Sequence, residues 1–259
     1  MMTVGNLLCG VGVILICIGR GRPSSPGQLS AVLGSCAWLI LIAMLFDALD
    51  GRIARFTKAA TQFGGELDSL ADVITFGAAP AVLAFVFLVN SIREPFNNSP
   101  VLYFLVAVFP MCAALRLARF NVENDPDEAS HSFFKGLPAP AAAGTVASLV
   151  LLHLWLLRTF SFYESHQAWL PTYVLPLMVV ALSLLMVSTW KYSHIANKVF
   201  GQQRSFFFVV LFIFLCILAA HLPEVMLALG FLVYATSGVV GFALDRLVDL
   251  LERDNDEME

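Results

Sequence analysis

Charge is what this sequence has least of. Only 13% of its 259 residues are Asp, Glu, Lys or Arg, against about 25% in an average soluble protein. No long polar linker divides the apolar runs, so nothing suggests more than one domain. A CxxC pair is also missing. Cys9, Cys17, Cys36, Cys112 and Cys216 stand far apart in apolar segments with no histidine cluster beside them. That spacing argues against zinc or dithiol redox chemistry and for small packing residues in a bilayer. The first apolar stretch has no basic segment before it and no small-residue cleavage pattern after it, so it is read as a membrane helix and not as a cleaved leader. Paired broken helices in an internal repeat, which mark many transporters, are absent as well. The formal net charge of −4 says little by itself, and no nucleic-acid partner is expected.

What fills the chain instead is oil: 59% of it is hydrophobic and its mean hydropathy is +0.81. The composition is that of an integral membrane protein of all-α class. A bilayer core of roughly 30 Å needs about twenty apolar residues per helix. Reading at that length predicts eight spans, at about 3–19, 28–50, 68–91, 101–118, 137–157, 170–190, 205–221 and 223–244. The breaks between them carry turn formers such as Arg22-Pro-Ser-Ser-Pro-Gly27 and Asn124-Asp-Pro126, and Leu222-Pro223 predicts a tight hairpin between the last two. The expected organisation is one transmembrane domain over 1–245, with a catalytic core at about 3–190 and two further helices at about 205–244. An acidic tail closes the chain at 246–259, expected to be solvated and frayed.

An even number of spans puts both termini on one side. Arg52, Arg55, Lys58, Arg116, Arg119, Lys135, Lys191, Lys198, Arg204, Arg246 and Arg253 fall on that side, against Arg20, Arg22, Arg93 and Arg158 on the other. The excess of basic residues predicts cytoplasmic termini, in the inner membrane if the cell is bacterial.

Against this background one polar stretch stands out, Asp47-Ala-Leu-Asp50-Gly51-Arg-Ile-Ala54-Arg55, with Gly64-Gly-Glu-Leu-Asp68-Ser-Leu-Ala-Asp72 shortly after it. Acids at the ends of apolar helices are costly and by default functional. Asp47 and Asp50, at i and i+3, share a face at the end of the second span, and Asp68 and Asp72, at i and i+4, share one at the start of the third. If the two helices are antiparallel neighbours, four carboxylates converge at the cytoplasmic end. Four bare negative charges there would repel strongly. One or two divalent cations relieve that, and an all-oxygen donor set suits magnesium, manganese or calcium. Gly51 and Gly64 permit close approach of a ligand to the backbone, and Arg55 offers a planar fork for phosphate oxygens. The chemistry these residues suggest is metal-assisted transfer at a phosphate. Taken singly, each acid or arginine is as well explained as an interfacial anchor, and it is the spacing of the set that argues otherwise.

The pattern Asp47-x2-Asp50-Gly51-x2-Ala54-Arg55-x8-Gly64-x3-Asp68-x3-Asp72 resembles the signature of the CDP-alcohol phosphotransferase family, with all eight fixed positions present. The resemblance implies that Asp47, Asp50 and Asp68 are metal ligands. It makes Asp72 the base that deprotonates the attacking alcohol, and allows it as a fourth ligand. It associates Gly51, Ala54, Arg55 and Gly64 with the cytidine diphosphate group, and it implies a homodimer. The segments Asp72-Val-Ile-Thr-Phe-Gly-Ala-Ala-Pro80, Leu115-Arg-Leu-Ala-Arg-Phe-Asn121, Phe134-Lys-Gly-Leu-Pro-Ala-Pro140 and the opening Thr3-x2-Asn6-x3-Gly10 are similar to the serine-accepting branch of that family. The eight-helix length suits that branch better than the six-helix core of the wider family. Asn6 joins the expected CDP-binding set on this resemblance. One departure is that Thr3 opens the chain almost directly, without the amphipathic segment and Pro-Asn that many members carry ahead of it.

The implied reaction transfers a phosphatidyl group from CDP-diacylglycerol to L-serine, with two bound divalent ions, Mg2+ or Mn2+ before Ca2+. A serine zwitterion needs a cation for its carboxylate, and Arg116, Arg119 and Lys135 are the candidates at the right edge of the membrane. Their alternative role is anchoring to anionic headgroups. A phosphorylated acceptor, glycerol 3-phosphate or an inositol phosphate, would call for more cations than these three. An ion-coupled transporter would place its acids nearer mid-membrane. The five histidines, His194 among them, carry no catalytic pattern.

Overall fold

The computed structural model describes residues 2–20, 25–57, 62–91, 100–123, 134–160, 173–192 and 215–256. The fold is an all-α helical bundle. Helix α1 is Met2–Arg20 and α2 is Pro26–Thr57; α3, Gln62–Asp72, runs through a π-helical turn at Val73–Ala78 straight into α4, Ala79–Ser91. Then come α5, Pro100–Glu123, α6, Ala139–Thr159, α7, Leu175–Val187, and α8, Pro223–Asp256. Two-residue strands, β1 at Phe134–Lys135 and β2 at Lys191–Tyr192, pair antiparallel with Phe134 opposite Tyr192.

Among the described residues six helices, Thr3–Arg20, Pro26–Asp50, Phe63–Ser91, Pro100–Val122, Ala139–Thr159 and Pro223–Ala243, are long and apolar enough to cross a membrane, and α7 is a shorter apolar helix. The predicted span at 205–221 lies mostly outside the described residues; its last part, 215–221, is helical. Two boundaries differ from the sequence reading. The predicted helix at 28–50 continues to Thr57, carrying its polar end beyond the apolar span. The acidic tail is not frayed from 246 onward, because α8 runs on to Asp256.

The interior belongs to α6 and to the α3–π–α4 rod. Of the apolar window of α6, 72% is buried inside the protein, against 22% for α1 and 17% for α8, whose outer faces are left for lipid. α6 begins where Pro138 and Pro140 bracket its first turn, positions at which the missing N–H groups cost nothing. The small residues after them allow close packing: a Cβ on Gly144 would sit 2.4 Å from the Phe231 ring of α8. Hydroxyls inside the bundle are satisfied locally, Thr145 donating to the Ala141 carbonyl at 2.8 Å and Ser183 to that of Val179 at 2.7 Å. In lipid such groups have no water to turn to. Just before α6, Gly136 adopts φ +82°, where a side chain would meet the Met186 carbonyl at 2.5 Å. Its N–H donates to Trp190 O at 2.8 Å, and Leu137 N–H to Leu185 O at 3.0 Å, so the β1 segment is clamped to the end of α7.

α1 and α2 pack antiparallel. The thiols of Cys17 and Cys36 meet at 3.6 Å near the C-terminal end of α1, while Thr3 reaches Asp50 at its other end. That arrangement brings the first turn of α1 to the aspartate-bearing end of the bundle.

Candidate active site

The aspartates come from two directions. α2 delivers Asp47 and Asp50 as it leaves its apolar span, and α3 delivers Asp68 and Asp72 as it enters the next. Asp47, Asp68 and Asp72 are each partly buried and each offers a carboxylate oxygen, these oxygens lying within 4.8 Å of one another. Asp50 stands outside this triad. Its Oδ2 accepts from the Thr3 backbone N–H at 2.9 Å and also from the Thr3 hydroxyl. It remains close enough for its charge to act on Asp47 and Asp68.

α1 lays one face over this group. Thr3, Asn6 and Gly10 stand at i, i+3 and i+7, a single stripe of the helix. Thr3 meets Asp50. Asn6, fully buried, donates from Nδ2 to Asp72 Oδ1 at 3.1 Å. The Asn6 backbone carbonyl in turn accepts from Thr75 Oγ1 at 3.1 Å. Gly10 makes this approach possible, since a Cβ there would lie 2.4 Å from Thr75 Oγ1 and 2.7 Å from its Cα. Thr75 belongs to the π turn Val73–Ala78 that begins directly after Asp72. Such a turn accommodates an extra residue and re-aims the helix beyond it, and π turns inside α-helices occur often at functional sites.

On the other side α5 contributes Arg116, whose charge acts on Asp72 and on Tyr234 of α8. Asn121 of α5 ties this helix to α3, donating to Ser69 Oγ at 3.0 Å. Arg119 turns toward α7, its Nη1 donating to the Val187 carbonyl at 3.4 Å. Lys135 lies in β1 opposite Lys191, and its side chain is outside the described set. The same holds for the side chains of Ala54 and Arg55 and for the surroundings of Gly51, all in the last turns of α2; Gly64 is half-buried near the start of α3.

Three buried side-chain atoms among the described residues have no hydrogen-bond partner: Asn6 Oδ1, Asp68 Oδ1 and Arg116 Nε. All three belong to this one site. Buried polar atoms are otherwise almost always paired, and an exception calls for a ligand or ion. The donor chemistry fits a divalent cation: a cluster of carboxylate oxygens, one without a protein partner, at separations that oxygen ligands around a hard cation adopt. The missing partners of Asn6 and Arg116 fit an anionic, hydrogen-bonding substrate.

In the sequence, Thr3 and Thr75 stand out only within the segments similar to the serine-accepting branch, with no contact assigned to either, and Tyr234 is not singled out. The Thr3, Asn6, Gly10 stripe at i, i+3 and i+7 on α1 was a usable signal for Thr3. Nothing local marks Tyr234.

Fold and site together define a class: a polytopic membrane enzyme with a carboxylate cluster at one end of its helices. The chain belongs to the CDP-alcohol phosphatidyltransferase family, which it matches over residues 1–166. It is 35% identical over 176 residues to the CDP-diacylglycerol–serine O-phosphatidyltransferase of Helicobacter pylori, covering 68% of this chain and 67% of that one. The enzyme of that name from Methanocaldococcus jannaschii is 32% identical over 217 residues, 83% of this chain and 88% of that protein. The one from Mycobacterium leprae is 37% identical over 153 residues, 58% of this chain and 46% of that protein.

Proposed function

We propose that this chain transfers the phosphatidyl group from CDP-diacylglycerol to L-serine, giving phosphatidylserine and CMP. The observation that carries the reading is the coincidence of the Asp47–Asp68–Asp72 cluster with all three partnerless buried atoms. The family match and the names of its relatives support the reaction class and the acceptor.

On this reading Asp47, Asp68 and Asp72 hold divalent metal, Mg2+ or Mn2+ before Ca2+, with Asp50 joining to hold a second ion. Bound metal supplies charge neutralisation for the diphosphate and for the departing CMP. Gly51, Ala54, Arg55 and Gly64 receive the cytidine diphosphate, and the acyl chains stay in the bilayer. Asp72 takes the proton of the serine hydroxyl. The freed oxygen attacks the phosphorus that carries diacylglycerol, and the bond from that phosphorus to the CMP oxygen breaks. Asp72 then releases its proton to water, so serine and CDP-diacylglycerol become phosphatidylserine, CMP and a proton. Asn6 holds the Asp72 carboxylate in place through its 3.1 Å hydrogen bond and leaves Oδ1 to bind substrate. Arg116, with Nε unpaired, receives the serine carboxylate or the lipid phosphate. Arg119 and Lys135 stand at the rim as further candidates. The excess of basic residues on one side supports a cytoplasmic site and cytoplasmic termini, and the family resemblance supports a homodimer.

The deciding experiment tracks CMP release from CDP-diacylglycerol by purified protein with Mg2+ or Mn2+, offering serine, glycerol 3-phosphate and an inositol phosphate in turn. Serine is expected to support release. CMP with glycerol 3-phosphate alone overturns the serine assignment, and no CMP with any alcohol overturns the enzyme reading.

A further inference from the structure

At the end of the bundle opposite the aspartates lies a cavity of about 400 Å3, lined by α2, α6 and the first turn of α8. From Ser30 on its wall to Asp47 along α2 is about 25 Å at the α-helical rise. It is therefore separate from the site described above. Three features define what it can hold. Its charged groups are one cation and one anion, Arg158 at the end of α6 and Glu224 at the start of α8. Among the described residues no ion pair joins them. The hydroxyls of Ser30 and Ser35 are already donated to the Pro26 and Ala31 carbonyls, so the two charges carry the recognition. Its aromatic walls are Trp38 and Trp155, the residue type that gathers at the membrane–water boundary. Finally, its floor is apolar: Leu151 and Leu154 precede Arg158 on α6, and Leu154 faces Gly34 of α2, whose missing side chain leaves Leu154 Cδ1 3.6 Å from where a Cβ would stand.

Depth decides between a soluble and a lipid ligand. From Arg158 down to Leu151 is about 10 Å of helix, which takes the cavity from the headgroup region to acyl-chain depth. A ligand that fills it is polar at one end and apolar at the other.

We infer that this cavity binds a phospholipid with a zwitterionic phosphate–ammonium head, drawn from the leaflet opposite the aspartate site. The phosphate faces Arg158, the ammonium faces Glu224 and the tryptophan rings, and an acyl chain lies along Leu151 and Leu154. Binding here does not depend on which alcohol the aspartate site uses.

The test is native mass spectrometry of the purified protein, titrated in detergent with dioleoyl phosphatidylethanolamine, dioleoyl phosphatidylglycerol or the soluble glycerophosphoethanolamine. The ethanolamine lipid is expected to be retained in preference to the glycerol lipid. Arg158→Gln is expected to lower its retention about tenfold, the scale of one lost charge-assisted contact. Glu224→Gln is expected to erase the preference between the two lipids. Ala31→Phe, which adds bulk at an exposed lining position and removes no contact, is expected to block retention while leaving the unfolding temperature unchanged. Unchanged retention in Arg158→Gln and Ala31→Phe overturns the proposal. So does equal retention of the two lipids by the unaltered protein. Displacement by glycerophosphoethanolamine also overturns it, because the ligand would then be a soluble zwitterion.

Discussion

Two regions of this molecule bury polar atoms in oil and treat them in opposite ways. Along α6 and α7, Thr145, Ser148 and Ser183 turn their hydroxyls back to carbonyls of their own helices, at 2.8, 3.0 and 2.7 Å. Each hydroxyl is satisfied within one turn and needs nothing from elsewhere. At the aspartate end, Asn6, Asp68 and Arg116 each keep a buried atom with no partner, although they come from three different helices. Among the described residues the bundle satisfies its core hydroxyls locally and leaves buried polar atoms open at this one end, the pattern expected where a ligand binds. The contrast separates polarity that serves the fold from polarity that serves a ligand.

The largest way to break this comparison is to remove the metal. Chelation by EDTA is expected to abolish CMP release, with recovery on adding Mg2+ or Mn2+; turnover undiminished by EDTA would show that the carboxylates are held together for another reason. Next is Asp72→Asn, expected to lower turnover by about 10²–10⁴-fold, the contribution of a positioned general base, while the protein still folds and inserts. Asn6→Ala removes the support beneath Asp72. A drop of about 10–100-fold is expected, the usual cost of losing an orienting group, and it should appear in kcat more than in the KM for serine. Gly10→Ala forces a methyl against Thr75 and should cost about 1–3 kcal/mol, read as a lower unfolding temperature in detergent. The smallest effect belongs to the core side of the comparison: Thr145→Val should change stability by under about 1 kcal/mol and leave turnover intact. If Thr145→Val proved as damaging as Asn6→Ala, the division between the two kinds of buried polar group would fail.

Much of the site was legible because its spacing is local. Asp47 with Asp50, and Asp68 with Asp72, share faces by helical geometry alone, and the apolar runs that carry them are long enough to read without a fold. The ends of the helices were less legible. α2 continues to Thr57 and α8 to Asp256, since a polar helical stretch carries no hydropathy signal that separates it from a loop. The π turn after Asp72 was not visible either, because Val73–Ala78 reads as ordinary membrane helix.

By itself, then, the sequence determined an all-α membrane protein with two pairs of acids at helix ends, because hydropathy and helical period are properties of neighbouring residues. Only the tertiary structure decided that Asp47, Asp68 and Asp72 form the close cluster while Asp50 turns to Thr3, that Asn6 supports Asp72, and that Tyr234 of the last helix comes within reach of the Arg116 charge. Those contacts join segments separated by 47 and 66 residues in the two hydrogen-bonded cases. The relative rotation and depth of packed helices set them, and no local pattern encodes either.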